Sequence, residues 1–96
     1  MRAGTVNDTP ACTPDYFPTL IEAAGAKLPP NYPGDGKSLV ALLKGGAPLP
    51  ERSLFWHYPH YGNQGGAPGA AIRLGQWKLI EWGEGPQVEL FDLAAD

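Results

Sequence analysis

The spacing of apolar residues near the start of the chain predicts a helix. One group recurs at intervals of three or four residues: Tyr16, Phe17, Leu20, Ile21 and Ala24. This spacing places apolar side chains on one side of an α-helix. Asp15 is a suitable N-cap, Pro18 falls in the first turn, where its missing N–H has no helical partner to lose, and Gly25 ends the pattern. We therefore expect a first helix between Asp15 and Gly25.

A loop and a second, shorter helix follow. Residues 26–37 are too rich in Pro and Gly for regular structure. Ser38 is a suitable cap for a helix that runs through Lys44 and ends at Gly45-Gly46. The side chains predicted to face inward are Leu39, Leu42 and Leu43.

The second half of the chain has the pattern of β-strands. Strands are predicted at residues 53–58, 70–74, 77–82 and 87–93, with a tight hairpin turn at Gly75-Gln76. In the first strand, alternation puts Leu54, Trp56 and Tyr58 on one face and Phe55 and His57 on the other. Two helices followed by about four antiparallel strands predict an α+β fold.

Composition limits the size and the partners of this fold. The chain has 96 residues, of which 43% are hydrophobic, and a net charge of −3 without any basic run. We expect a single unit over 1–96, with a helical lead-in at 1–46 and an antiparallel sheet at 52–96. Nucleic acid and membrane are not expected partners, because neither a cationic patch nor a long apolar stretch is present.

The ends of the chain and its single cysteine leave the cellular location open. The first eight residues lack the apolar core of a signal peptide. One Cys excludes a disulfide within the chain and a Cys-rich zinc site. The sequence alone therefore assigns no compartment.

Several segments together resemble the C-terminal part of sulfatases, a family that includes arylsulfatases and N-sulfoglucosamine sulfohydrolases. The first is Asp15-Tyr16-Phe17-Pro18-Thr19-Leu20 with the Ala-Gly that closes its helix, and the second is Asp35-Gly36-Lys37-Ser38-Leu39. Three more follow in the order of the family, at residues 52–58, 71–80 and 89–96. The resemblance implies the C-terminal subdomain of an alkaline-phosphatase-like sulfuric ester hydrolase. It would pack on the catalytic domain and line the substrate cleft.

The resemblance also implies which parts of the chemistry lie elsewhere. Sulfatases use a formylglycine made from Cys or Ser within Cys/Ser-x-Pro-x-Arg, and a calcium ion held by Asp and Asn side chains. These elements belong to an upstream domain, so we expect no catalytic residue, metal ligand or cofactor in this chain and calcium in the complete enzyme. The chain is expected to be cut at both ends, to be inactive alone, and to have the missing N-terminal catalytic domain as its partner.

Cys12 has part of the nucleophile motif. In Cys12-Thr13-Pro14-Asp15-Tyr16 the proline is correctly placed, but Tyr16 occupies the position of the arginine. The family register also puts Cys12 directly before the first helix of the tail. We interpret it as a small apolar residue that leads into that helix.

The loop at 59–69 and the end of the strand before it contain most of the candidate substrate-binding residues. By resemblance this loop lies beside the sulfatase cleft, where a sulfated carbohydrate or an aryl sulfate would bind. Polar donors and aromatic rings together suit a sugar, and the candidates at this loop are His57, His60, Tyr61, Asn63 and Gln64. The alternative is aromatic packing beside a solvated loop.

Two further questions remain open at the level of sequence. Arg73 is a candidate for binding the sulfate group, since guanidinium makes bidentate contacts to oxyanions, or for an ion pair that fixes the sheet. Trp77 is expected inside and Trp82 at the rim.

A free-standing glycan- or protein-binding module is the alternative function, and it would bury the apolar face of the first helix.

Overall fold

The computed structural model describes residues 3–63, 65–83, 85 and 87–95. The chain divides into two compact units, Met1–Pro50 and Glu51–Asp96. The elements of the first unit are a 3-10 turn at Thr13–Asp15, helix α1 at Tyr16–Ala23 and helix α2 at Val40–Leu43. Those of the second are strands β1 at Leu54–Tyr58, β2 at Gly69–Leu74, β3 at Trp77–Trp82 and β4 at Gln87–Asp92. The predicted succession of two helices and an antiparallel sheet is confirmed.

Helix α1 ends as its sequence predicts. Gly25 has φ +73°, a left-handed conformation that side chains disfavour. The amide of Ala26 then donates to the carbonyl of Ile21 at 3.0 Å, which satisfies a carbonyl of the last helical turn. The glycine is therefore the physical cause of the stop.

The apolar residues that identify α1 do not form its buried face. Tyr16 is 61% exposed and Leu20 is 68% exposed. Phe17, which is 50% exposed, stacks on Tyr32 of the following loop, with ring centroids 5.4 Å apart. The buried residues at this helix are instead Asp15, Pro18 and Thr19.

Helix α2 is shorter than predicted and buries a different residue. It begins at Val40, whose amide donates to Ser38 Oγ at 3.2 Å, so Ser38 does assist the start of the helix. Val40 is 5% exposed, whereas Leu43 is 43% exposed and does not face inward as predicted. The helix has only four residues, barely one turn. The spacing of apolar residues over so short a segment does not determine which side of the helix is buried.

The sheet is an antiparallel meander in the order β1-β2-β3-β4. The turn at Gly75-Gln76 is confirmed: Leu74 pairs with Trp77 on either side of it, and Gly75 has φ +56°. The predicted bounds of β3 are confirmed, and the other strands differ from prediction by one residue at an end. Local pairing between consecutive strands explains this agreement.

The register divides the strand residues between two faces. The face that we call the Leu54 face contains Leu54, Trp56, Tyr58, Gly69, Ala71, Arg73, Lys78, Ile80, Trp82, Gln87, Glu89 and Phe91. The opposite one, the Phe55 face, contains Phe55, His57, Ala70, Ile72, Leu74, Trp77, Leu79, Glu81, Val88, Leu90 and Asp92.

The two faces differ in how well they are covered. Leu54 is 5% exposed, and Phe55 beside it is 72% exposed. Trp77, which the sequence predicts inside, is 49% exposed because it lies on the Phe55 face. Trp82, on the Leu54 face, is half-buried and donates its indole N–H to Glu89 at 2.7 Å. Among the described helices, none has the length and apolar character needed to cross a membrane.

Candidate functional site

The described residues offer two places to look for function, beginning with the buried carboxylate of the first unit. Asp15 has no exposed surface. Its Oδ2 accepts from the backbone amide of Cys12 at 2.9 Å, and its Oδ1 accepts from the amide of Lys37 at 2.9 Å. Asp15 thus caps the 3-10 turn and holds the loop before α2 in place. The prediction that its side chain caps α1 is wrong, because that side chain makes no capping hydrogen bond to the helix.

Thr19 makes a second link to the same segment. Its hydroxyl donates to the carbonyl of Asp15 at 2.6 Å and accepts from the amide of Leu39 at 2.9 Å. Asp15 and Thr19 lie four residues apart, a rise of about 6 Å in a helix. The two amides that donate to these residues belong to Lys37 and Leu39, which are two residues apart, about 6.6 Å in an extended chain. The spacing of the two acceptors therefore matches the spacing of the two amides.

Gly36 allows this close approach. It is buried, and a Cβ placed on it would overlap the backbone carbonyl of Pro14. Asp15, Thr19 and Gly36 thereby connect the Asp-aromatic-aromatic-Pro-Thr-Leu segment to the Asp-Gly-Lys-Ser-Leu segment. We call this part of the first unit the structural joint, because it links the two segments. Its polar side chains, the Asp15 carboxylate and the Thr19 hydroxyl, accept hydrogen bonds from backbone amides.

Cys12 belongs to this joint. Its Sγ lies 3.5 Å from Asp15 Oδ2, and its side chain is only partly exposed. Its backbone amide and carbonyl both bond to Asp15 as well. These contacts are those of a residue that begins a turn.

The second place is the end of the sheet nearest the loop at 59–69. A shallow cavity of about 370 Å³ opens there, lined by His57, Pro59, Pro68, Gly69, Ala70, Glu81, Trp82, Gly83 and Gly85. His57 is exposed on β1, and its register partner Ala70 pairs in turn with Glu81. His57 and Glu81 therefore stand on either side of a methyl group, on the Phe55 face.

The loop residues follow directly. His60 packs edge-on against Tyr58, with ring centroids 5.6 Å apart and planes at 88°. Tyr61 is 69% exposed and Asn63 is exposed. Gln64 lies outside the described residues. The structure thus brings His57, His60, Tyr61 and Asn63 to one end of the sheet.

Arg73 is not brought to this end. It lies four residues along β2 from Gly69, about 13 Å of strand, next to the hairpin turn. Its Nε donates to the carbonyl of Gly75 at 3.0 Å. Arg73, the candidate for binding the sulfate group, is therefore separate from the candidate residues at the loop.

Sequence reasoning missed Glu81 and Trp82 as cavity residues. Alternation along β3 assigned them to opposite faces, and both reach the cavity because it opens at the end of the sheet. The signal in the sequence was Gly69 at the start of β2, because a Cβ at that position would lie 3.4 Å from the Trp82 ring.

A metal centre does not emerge from the described residues. No three His, Cys, Asp or Glu side chains in this part of the chain lie together so that they could hold an ion. The arrangement provides an imidazole, hydroxyl and amide groups, a carboxylate and aromatic surface, which suit binding of a polar ring.

Comparison with known proteins identifies the family. The family model described as N-sulphoglucosamine sulphohydrolase, C-terminal, matches residues 1–96. The chain belongs to this family. The sulfatase resemblance and the C-terminal assignment are therefore confirmed.

Curated relatives agree with this assignment. The chain is 37% identical to mouse arylsulfatase K over 90 residues, which are 85% of this chain and 16% of that protein. It is 36% identical over 93 residues to a sulfatase of Formosa agariphila, covering 88% of this chain and 17% of the relative. The sulfatase region described above thus spans about one sixth of the length of these relatives.

A solved structure supports both fold and family. The chain is similar to BT4656, determined in complex with its substrate D-glucosamine-2-N,6-O-disulfate. The TM-score is 0.70 at 26% identity, over 85% of this chain and 17% of the other. The helix pair and four-stranded meander are therefore the architecture of a sulfatase C-terminal subdomain.

Proposed function

We propose that this sulfatase subdomain packs against the catalytic domain of a sulfuric ester hydrolase and lines its substrate cleft, without activity of its own. The observation that carries the proposal is the family match over residues 1–96 in a chain that spans only 16% of a curated sulfatase. The chemistry of sulfate transfer would then be supplied by the remaining length of the enzyme.

The Phe55 face supports packing against a larger domain. Phe55, Ile72, Leu79 and Leu90 are successive register partners, so they form an apolar row across all the strands. Phe55 is 72% exposed and Leu90 is 62% exposed. Exposed apolar rows of this kind mark surfaces that are covered in an assembly.

Helix α1 supports the same proposal over a free-standing binding module. A self-sufficient module would bury the apolar residues of this helix, but Tyr16 and Leu20 are both more than half exposed. Burial of those side chains against another domain would remove that apolar surface from water. We therefore favour the subdomain of a larger enzyme.

A sulfated carbohydrate is the substrate class that we propose. The structural neighbour binds a sulfated glucosamine, and the cavity end of this sheet offers matching groups. His57 and Asn63 provide hydrogen-bond donors and acceptors for hydroxyl groups, while Tyr61 and His60 provide ring surface. In the complete enzyme their role would be to hold and orient the sugar.

Calcium and the formylglycine nucleophile are proposed for the complete enzyme. Calcium would neutralise the charge of the sulfate group there. Within this chain the contacts of Cys12 support a structural role, and no described residue is assigned a proton-transfer or metal-binding step.

An activity assay tests the catalytic part of this proposal. The purified chain is assayed with a generic aryl sulfate and calcium, beside a Cys12→Ala variant. We expect no hydrolysis by either protein. Activity that disappears in the variant would make Cys12 a nucleophile and would overturn the proposal.

A binding titration tests the substrate part. Amide and histidine NMR signals of the chain are followed during addition of D-glucosamine 6-sulfate. Shifts should concentrate at residues 57–63, and His57→Ala should weaken binding about tenfold, the value of one lost hydrogen bond. Leu20→Ala, an exposed change in α1, serves as the control. Shifts spread evenly along the chain, or unaffected by His57→Ala, would contradict the assignment.

A further inference from the structure

Arg73 and Lys78 form a pair of like charges on the Leu54 face. They are register partners on β2 and β3, so their side chains leave the same face of adjacent strands. Both are half-buried. Leu54 lies opposite Arg73 on the outer side, and Phe91 lies opposite Lys78. Two cations thus stand side by side, with an apolar residue at each end of the row.

The described strands supply no carboxylate partner for this pair, and the carboxylate of Glu51 lies at the hairpin beside Gly75. Among the described residues, neither Arg73 nor Lys78 makes an ion pair with a carboxylate. The acidic strand residue on the same face, Glu89, accepts the indole N–H of Trp82 at 2.7 Å. Asp92 and Glu81 belong to the Phe55 face. Like charges directly opposite one another destabilise a sheet.

The guanidinium of Arg73 is held in place by the hairpin. Its Nε donates to the carbonyl of Gly75 at 3.0 Å, which uses one of the five N–H groups. The remaining N–H groups are available in a fixed orientation for a planar or tetrahedral oxyanion. Lys78 adds a mobile ammonium group from the next strand.

We propose that Arg73 and Lys78 form an oxyanion-binding site on the Leu54 face. The ligand chemistry is a sulfate or carboxylate group that reaches the sheet from outside the described residues. The site lies about 13 Å of strand from Gly69 and the loop at 59–69, so it is distinct from the proposed sugar site. Its existence does not depend on that site.

Anion titrations of the chain test the proposal. Sodium sulfate is added at constant ionic strength, kept with sodium chloride, while the Arg73 Nε–H and Lys78 amide signals are followed by NMR. We expect saturable shifts of both signals, and at least a tenfold weaker response in Lys78→Gln. Lys27→Gln removes the same charge outside the sheet and should leave the titration unchanged.

Two further arms identify the source of the anion. D-glucosamine 6-sulfate should compete with sulfate if a sulfated sugar occupies the site, and acetate should do so if a protein carboxylate does. Thermal unfolding gives a second readout: sulfate should raise the Tm of the native chain more than that of Lys78→Gln. Linear, non-saturating shifts that are equal in the native chain and the variant would overturn the proposal.

Discussion

The carboxylate of Asp15 accepts a hydrogen bond from the backbone amide of Lys37 at 2.9 Å, across a sequence separation of 22 residues. Because Asp15 is fully buried, this amide is satisfied by protein and not by water. The pairing joins the start of α1 to the approach of α2. The contact needs the Asp15 carboxylate, the Lys37 amide and the close approach that Gly36 permits.

Removing the Asp15 carboxylate should loosen the loop before α2. Asp15→Ala leaves the partly buried backbone amides of Cys12 and Lys37 without their acceptor, and we expect a loss of about 3 kcal/mol in the free energy of unfolding. Asp15→Asn keeps one acceptor oxygen and should lose less. Urea unfolding followed by circular dichroism measures the loss. Hydrogen exchange at Lys37 N–H should speed up in Asp15→Ala, and unchanged exchange in that variant would refute the joint.

Thr19 supports a second, separate prediction. Thr19→Val preserves the shape but leaves the Leu39 amide unpaired, so we expect a loss of about 1–3 kcal/mol. Thr19→Ser retains the hydroxyl and serves as the matched control, with a smaller loss. The same urea titration compares them. Equal stabilities of the Val and Ser variants would show that the hydroxyl contributes nothing.

Gly36 and Gly25 should respond to alanine for different reasons. Gly36→Ala drives a Cβ into the Pro14 carbonyl, and we expect a cost of about 1–3 kcal/mol for the backbone shift. At Gly25 no atom lies within 4 Å of the added Cβ, so its cost of about 1 kcal/mol comes from φ +73° alone. Thermal unfolding separates the two. A Gly36→Ala variant as stable as the native chain would contradict the close approach.

The apolar row of the Phe55 face should promote self-association of the free chain. Leu90→Lys places a charge in that row without removing a buried contact, since Leu90 is 62% exposed. We expect a change of under about 0.5 kcal/mol in unfolding free energy and a larger monomer fraction in sedimentation velocity. Val6→Lys, at an 86% exposed position outside the sheet, is the control. Equal monomer fractions in Leu90→Lys and the native chain would exclude this surface.

The sheet was the most predictable part of the fold. Alternation and the turn at Gly75-Gln76 are local signals, and each strand pairs with its neighbour in sequence. The first unit was harder, because its burial depends on contacts between distant segments. Asp15 looked like a helix cap, and only the approach of Lys37 explains its complete burial. Likewise Leu43 fits an apolar stripe, yet Val40 is the residue that the fold covers.

The candidate site was predictable in part for a similar reason. Residue types marked His57 and His60, and the strand-to-loop position of both was read correctly. Arg73 was grouped with them by chemistry, but the direction of β2 carries it to the opposite end of the sheet. Glu81 lies at the cavity because it pairs with Ala70 of β2, and this pairing register could not be read from the sequence alone.

The strand order has a consequence for how the second unit forms. Every pairing joins strands that are consecutive in the chain, so the contact order of the meander is low. The entropy of loop closure is then small at each step, and a low contact order favours rapid folding. Each hairpin can form as soon as its own strands have left the ribosome. The sheet can thus form from local pairings alone, without guidance from the surface that covers its Phe55 face.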